Sequence, residues 1–227
     1  MKIDLHNHTR DGSIDAVTDP DLLVEVARAR GLDGVCITEH GKARTPLAEA
    51  LRKRHGFLVL SGMEVSTELG DLLVFGVDAI PRALITARQV CDFVRANGGV
   101  VVAAHPYRWD LSPKPWIGPR DPDLTIEKAL AAPLVGLVDA MEAANGWATA
   151  LDVDFTREVA RRAGLGVTGG SDAHGPNEVG RCFTVFEDAI RDEASLVRAL
   201  KSGRFQAEDH RPEHERGPVK YYLRDFS

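Results

Sequence analysis

The stretch Val-Val-Val-Ala-Ala-His (residues 100–105) decides the class of fold. Its five apolar residues follow one another without the polar–apolar alternation of a strand that has one face in water. Such a run is typical of a parallel strand whose two faces are both covered. An amphipathic segment, 86–97, precedes it and ends at Gly98-Gly99, which is typical of a helix end. A helix followed by a buried strand is therefore the local unit.

The same alternation continues in both directions along the chain. Apolar runs predict further strands at 2–5, 34–38, 57–63, 72–77, 137–143, 166–168 and 182–186. Amphipathic segments predict helices at 20–31, 46–54, 151–163 and 194–202. Repeated strand–helix units indicate a parallel sheet covered by helices, so we expect an α/β fold. No change in composition suggests a second domain, and we expect one domain over 1–207 and a charged tail over 208–227.

The composition argues against several classes of function. A net charge of -6 over 227 residues disfavours an extended nucleic-acid-binding surface, which is normally basic. The sequence shows no apolar run that could span a bilayer and no signal-peptide pattern, so we expect a cytoplasmic protein without a membrane partner. The three cysteines stand far apart in apolar stretches, which is typical of small buried side chains.

Histidines and acids fall at the ends of the predicted strands. His6 and His8 are two residues apart after the first strand, so both rings can face one side. The other such positions are Glu39, His40, Glu64, His105, Asp172 and His174. In a parallel barrel or sheet these strand ends meet on one face, where active sites lie. Five of the eight histidines are among them, a number that isolated surface or core histidines would not produce.

This set of ligand atoms favours a catalytic metal site. Histidine nitrogens and carboxylate oxygens without thiolates suit Zn, Mn or Fe. A carboxylate such as Glu64 can bridge two ions. Neighbouring divalent ions polarise a phosphate and activate a water at neutral pH.

Five motifs together resemble the PHP (polymerase and histidinol phosphatase) domain. They are Asp-Leu-His-Asn-His-Thr (4–9), Ile-Thr-Glu-His (37–40), Gly-Met-Glu-Val-Ser (62–66), Ala-His-Pro (104–106) and Gly-Ser-Asp-Ala-His (170–174). They come in the family's order and cover nearly the whole chain. The resemblance implies a distorted seven-stranded α/β barrel that holds two or three divalent metal ions.

The resemblance also implies a ligand set. One metal would be bound by His6, His8, Glu64 and Asp172. A second would share Glu64 and take His105, and a third would take His40 and His174 with Asp11 as an extra ligand. Glu64, Asp172 and His174 would be the catalytic residues, and Asp4 would support the ligands from behind.

Two positions depart from the family's pattern. Glu39 stands where the family usually has aspartate, and it can still support a neighbouring ligand. Asp71 stands where many members have a histidine. Asp71 either replaces that histidine as an oxygen ligand of the second metal or caps a turn, and the sequence does not choose between the two.

Candidate substrate-binding residues lie in the loops that follow the strands. Arg108 and Arg120 belong to the long proline-rich loop after His105 and can hold a phosphate. That loop can equally serve only to cover the barrel. Arg181 follows the last motif, and Asn145 follows the 137–143 strand and is expected to point into the same opening.

We therefore expect a metal-dependent phosphoesterase, a hydrolase that acts on a small phosphomonoester such as a nucleotide or histidinol phosphate through a metal-activated hydroxide. The alternatives are a phosphodiesterase or exonuclease on short nucleic acid, and a non-catalytic metal-binding scaffold. The acidic charge disfavours the nuclease, and the nearly complete ligand set disfavours the scaffold.

Overall fold

The computed structural model describes residues 1–108 and 123–216. Nine strands are present in this part of the chain: β1 (Lys2–Asp4), β2 (Gly34–Ile37), β3 (Leu58–Thr67), β4 (Gly70–Phe75), β5 (Val100–Ala103), β6 (Ala140–Asn145), β7 (Gly166–Gly170), β8 (Cys182–Phe186) and β9 (Phe205–Asp209). Six α-helices accompany them: α1 (Pro20–Ala29), α2 (Thr45–His55), α3 (Ala87–Ala96), α4 (Ile126–Ala131), α5 (Ala150–Ala163) and α6 (Glu193–Ser202).

All nine strands belong to one sheet with the order β7-β6-β5-β4-β3-β2-β1-β8-β9. The α/β class is confirmed, but the strands number nine rather than seven and the sheet is mixed. β4 runs antiparallel to both of its neighbours, because the tight turn before Gly70 folds β3 and β4 into a hairpin. β8 and β9 are also antiparallel to their neighbours, whereas the other pairs are parallel.

The sheet curls into a nearly closed barrel. Beyond the end of β1, Asn7 pairs in parallel with Ala173, which follows β7, and the His8 N–H donates to the Ala173 carbonyl at 2.9 Å. β8 pairs with the beginning of β1. The Thr184 hydroxyl of β8 accepts from the Gly169 N–H and donates to its carbonyl, both at 2.9 Å. The carboxyl ends of β1 and β7 are therefore held side by side.

Apolar side chains fill the barrel and attach the helices. One cluster joins β1–β6 and β8 with Leu196 and Leu200 of α6, so this helix packs against the barrel interior. A second cluster packs α3, α4 and α5 against β3–β7, and a third packs α1 and α2 against β2 and β3. Val100–Ala103 is fully buried, as its uninterrupted apolar run predicts.

Helix ends follow the local signals in the sequence. Asp19 caps α1 by accepting from the Asp21 and Leu22 N–H groups, and Pro20 occupies the first turn, where its missing N–H costs nothing. Thr86 and Gln89 form a reciprocal capping box at the start of α3. α4 and β9 were not predicted, because each is short and has little hydrophobic periodicity.

The residues directly after position 207 still belong to the sheet. β9 continues to Asp209, and Arg211 is only 2% exposed. The expected charged tail, 208–227, therefore begins within β9 and includes the buried Arg211, while residues 217–227 lie outside the described part of the chain. The three cysteines are all buried. In the described segments, every helix is too short or too polar to cross a membrane.

Candidate metal centre

The predicted ligands converge at the carboxyl ends of the strands. His6 and His8 follow β1, His40 follows β2, His105 follows β5, and Asp172 and His174 follow β7. Glu64 lies within β3, which extends past the barrel rim as the hairpin with β4. Two of these ligands have left-handed backbone conformations, with φ of 31° at His105 and 51° at Asp172.

Four of these side chains each bring one ligand atom into a compact cluster, which we call the tetrahedral cluster because five of its six edges have the lengths of a tetrahedral metal site. His6 Nε2 lies 3.1 Å from His8 Nε2, 3.5 Å from Glu64 Oε2 and 3.4 Å from Asp172 Oδ1. His8 Nε2 lies 3.3 Å from each of the same two oxygens. Ligand atoms that surround a tetrahedral divalent ion at about 2.0–2.1 Å are about 3.3 Å apart. The four residues therefore have the identities and the spacing that such an ion requires.

Glu64 connects this cluster to two further groups. Its Oε1 lies 3.1 Å from His105 Nε2, and Asp71 contributes a carboxylate to the same neighbourhood. Its Oε2 lies 3.1 Å from His40 Nδ1. His8, His40 and His174 form another group of possible ligands. The structure thus places Glu64 between three potential ion positions, and Asp71 within reach of one of them.

Asp11 is the predicted ligand that the structure places elsewhere. Its side chain is exposed and lies beside Arg10, and it joins none of the ligand groups in the described residues. Asp15 is at the corresponding place, with Oδ2 at 3.3 Å from His40 Nε2 and 3.5 Å from His174 Nε2. The loop after His8 turns back on itself, so Asp15, four positions after Asp11, reaches His40 and His174.

Opposite charges pair within the cluster. Burial opposes ionisation of Asp172, but His6, His8 and Arg108 hold the pKa of this carboxyl well below its usual range. Burial likewise opposes protonation of His6, yet Asp172 and neighbouring carboxylates raise its pKa well above the ordinary value. The carboxylates of the cluster therefore favour a positive charge at His6.

Buried carboxylates support the ligands from behind. Asp4 accepts from the N–H groups of His6, Ser171 and Gly180, which ties the end of β1 to that of β7. Glu39 accepts from the Ser13 hydroxyl at 2.5 Å, and Ser13 Oγ lies 3.1 Å from His8 Nδ1. The structure thus places both residues behind the ligands.

Glu142 is a buried carboxylate that the sequence reasoning missed. It lies on β6, and its Oε1 is 3.1 Å from His6 Nδ1. In the sequence, Glu142 is the one acid among the apolar residues that end the 137–143 segment, and that position was the one sign of a special role.

A pocket with a volume of about 550 Å³ opens beside the tetrahedral cluster. It is lined by Asp15, Val17, Arg108, Trp147, Asp172 and His174, among others. Arg108 Nη1 donates to Asp172 Oδ2 and also to Asn145 Oδ1, the latter at 3.2 Å. Trp147 is 42% exposed, and its indole N–H donates to the Asp172 carbonyl at 3.0 Å.

Two other predicted substrate-binding residues, Asn145 and Arg181, are not among the residues that line this pocket. Asn145 is buried and reaches the pocket through hydrogen bonds that its Oδ1 accepts from Arg108 and from the Trp147 N–H. Arg181 belongs to a separate depression with Arg30 and His210, where it pairs with Glu215 at 3.3 Å. Arg120 lies outside the described residues.

The segment after β9 holds the loop that carries Trp147. The buried Arg211 guanidinium forms a two-point ion pair with Asp209 at 2.7 and 2.9 Å. It also donates to the carbonyls of Gly146 and Ala148 at 3.2 and 2.6 Å. The position of Trp147 in the pocket wall therefore depends on residues that lie more than sixty positions later in the chain.

Comparisons with known proteins agree with this architecture. A family model described as PHP-associated matches residues 154–205. The uncharacterized protein MJ1587 of Methanocaldococcus jannaschii is 31% identical over 118 residues, which cover 47% of this chain and 68% of that protein.

Two solved structures share the fold at about one-fifth sequence identity. A two-domain protein from Bacteroides vulgatus, which contains a domain inferred to be a PHP-like metal-dependent phosphoesterase, superposes with a TM-score of 0.66 at 21% identity. The match covers 92% of this chain but only 65% of the Bacteroides chain. A candidate metal-dependent phosphoesterase from Bifidobacterium adolescentis gives a TM-score of 0.62 at 20% identity, over 87% of this chain and 95% of that one.

The motifs, the barrel and these matches identify the class of protein. The chain belongs to the PHP domain family.

Proposed function

We propose that this protein is a metal-dependent phosphoesterase that hydrolyses a small phosphomonoester. The observation that carries this proposal is the tetrahedral cluster of His6, His8, Glu64 and Asp172, in which five separations between ligand atoms lie between 3.1 and 3.5 Å. Divalent ions bound there would supply Lewis-acid polarisation of a phosphoryl oxygen and an acidified water.

Arg108 is the residue best placed to bind the phosphoryl group. Its guanidinium lies between the cluster and the pocket and contacts Asp172, a member of the cluster. A planar guanidinium matches two phosphoryl oxygens at once, which fixes the orientation of the group as well as its position. Arg108 can therefore align the ester with the metal-binding residues.

The size of the pocket favours a small substrate. A volume of about 550 Å³ is within the range that holds a single small molecule. Trp147 and Val17 also line the pocket, and they offer apolar surface to the alcohol portion of the ester. The net charge of -6 adds no general attraction for a long polyanion.

The proposal is tested with protein that has been stripped of metal and reloaded with Mn²⁺ or Zn²⁺. Phosphate release is measured for a panel of monoesters that includes nucleoside monophosphates, histidinol phosphate and p-nitrophenyl phosphate, with bis(p-nitrophenyl) phosphate as the diester. We expect metal-dependent hydrolysis of the monoesters. The double variant His6→Ala/His8→Ala should lose metal and activity together.

His210→Ala is the matched control, because His210 is exposed and lies in a different depression. It should retain both metal and activity. Full activity in a metal-free His6→Ala/His8→Ala variant would refute a metal-dependent reaction. Hydrolysis of the diester but not of the monoesters would overturn the substrate class while leaving the phosphoesterase in place.

A further inference from the structure

Glu142 on β6 lies within hydrogen-bond distance of groups that follow β1 and β5 and of Asn145 on its own strand. Glu142 is 1% exposed, and three nitrogen atoms lie within hydrogen-bond distance of its carboxylate. His6 Nδ1 lies 3.1 Å from Oε1, and the backbone N–H of His105 and the side-chain N–H of Asn145 donate to Oε2 at 3.2 and 2.9 Å. Both carboxylate oxygens are therefore engaged by groups that belong to or adjoin the metal centre.

We infer that Glu142 is a positioning residue that fixes the tautomer of His6 and, through Asn145, the place of Arg108. A neutral imidazole carries one N–H and one lone pair. With the proton held on Nδ1 by Glu142, the lone pair of His6 is on Nε2, the atom that faces His8, Glu64 and Asp172. The inference rests on the metal site proposed above.

A direct ligand role for Glu142 fits the geometry less well. His6, His105 and Glu142 do lie close enough to form a ligand group. However, the Nε2 atoms of His6 and His105 are directed to Asp172 and Glu64. Glu142 meets His6 on the opposite ring nitrogen. Carboxylates in this position behind a ligating histidine orient the ring and raise its basicity.

Asn145 extends the effect of Glu142 to the pocket. Its Nδ2 donates to Glu142, while its Oδ1 accepts from Arg108 Nη1 and from the Trp147 N–H at 3.2 and 3.0 Å. These partners permit only one orientation of the amide, because two donors face the oxygen and one acceptor faces the nitrogen. Glu142 therefore contacts the His6 ring with both oxygens, at 3.1 and 3.3 Å, and with Oε2 it also holds the phosphate-binding arginine through Asn145.

Replacing Glu142 with glutamine separates this role from packing. The amide has the same shape but only one acceptor oxygen. If that oxygen accepts from His105 and Asn145, the new NH₂ group faces His6 Nδ1. His6 must then carry its proton on Nε2, where it blocks the lone pair that the metal needs. If the amide is reversed, the N–H groups of His105 and Asn145 lose their acceptor.

Zinc affinity and stoichiometry are measured for the wild type and for Glu142→Gln by chelator competition and isothermal titration. We expect an unchanged stoichiometry and an affinity about 10–100-fold weaker at the tetrahedral site. Glu158→Gln, a change of the same chemistry on the partly exposed face of α5, should bind zinc as the wild type does. Wild-type affinity in Glu142→Gln would overturn the inference. The loss of one zinc with the others unaffected would also overturn it, because Glu142 would then be a ligand.

A measurement on the wild type covers the case in which Glu142→Gln fails to fold. In zinc-loaded protein with ¹⁵N-labelled histidine, His6 should show a proton on Nδ1 and a metal-bound Nε2. Metal on Nδ1, or a proton on Nε2, would overturn the assignment. Failure of the wild type to bind zinc at all would refute the proposed function, which is a different result from normal binding with the other tautomer.

Discussion

The Nε2 atoms of His6 and His8 lie 3.1 Å apart and face the same two carboxylate oxygens. Two ring nitrogens at this distance and two anionic oxygens present a site that a divalent cation satisfies. Zinc should therefore stabilise the folded protein, by about 2.7 kcal/mol when free zinc is one hundred times its dissociation constant. In a chain of this size, that corresponds to a rise of about 5–10 °C in the unfolding temperature.

Thermal unfolding with and without zinc measures this effect. His8→Ala removes one corner of the tetrahedron and should abolish most of the rise. An equal rise in the wild type and in His8→Ala would show that zinc acts somewhere else.

Metal binding at His40 should be coupled to pH. A hydrogen bond to Glu64 raises the pKa of His40 to about 9, against the opposing effect of burial and with help from Asp15. In the metal-free protein, the favourable contact is fully present below the ordinary histidine pKa of 6.5 and is lost as the pH rises through about 9. A metal must displace this proton, so its apparent affinity should rise about tenfold per pH unit between pH 7 and pH 9.

Calorimetry in two buffers with different ionisation enthalpies measures the released proton at pH 7.5. Metal binding to His40→Gln should release one proton fewer than binding to the wild type. Binding with no proton release in the wild type would contradict the prediction.

Gly170 allows β7 to approach His6 closely. A Cβ at this position would lie 2.5 Å from Glu142 Oε1 and 2.5 Å from His6 Cβ. Gly170→Ala should therefore destabilise the protein by about 1–3 kcal/mol through overpacking and weaken metal binding at the same time. Urea unfolding and zinc titration provide the two measurements. Gly136→Ala, where a Cβ would meet nothing within 4 Å, should change neither, and equal effects of the two variants would refute the steric argument.

The buried pair of Asp209 and Arg211 should contribute strongly to stability. Asp209→Asn leaves the Arg211 charge without its partner in the interior and should cost about 3–5 kcal/mol at neutral pH. Although burial opposes it, Arg211 lowers the pKa of Asp209 below its ordinary value of 3.8. The advantage of the wild type should therefore be complete above about pH 5 and shrink as the pH falls through the folded-state pKa.

Urea unfolding at several pH values tests this prediction. Asp188→Asn breaks an exposed pair with Arg204 and should cost less than about 1 kcal/mol at any pH. A wild-type advantage over Asp209→Asn that grows on acidification would contradict the assigned direction.

Patterns along single strands allowed much of the centre to be predicted. Ligand residues two apart follow β1 and β7, and a histidine directly follows a buried run. These patterns bring the side chains together as long as the strand ends meet on one face. The His6–Asp172 contact follows from that rule. The strand at 72–77 was predicted, but its antiparallel direction was not, because direction depends on the turn before Gly70 rather than on hydrophobic periodicity.

Residues whose positions depend on loop paths or on long-range packing were harder to predict. Asp11 and Asp15 lie in the same loop, and only its fold shows which one reaches His40. Glu142 supports the centre across 136 positions of sequence, so no local pattern connects it with His6. Arg181 follows a metal motif but turns away from it, because Glu215 provides a partner on the other side.

The left-handed backbones of His105 and Asp172 have a consequence for the evolution of this barrel. Non-glycine residues in such conformations cost of the order of 1 kcal/mol or more, and glycine would relieve that cost. The barrel therefore keeps these two side chains at the expense of its own stability. Under the proposed function, selection for metal chemistry maintains them, and relatives released from that selection should accumulate glycine at both positions. Glycine at residues 105 and 172 would then mark lineages that have kept the fold and lost the reaction.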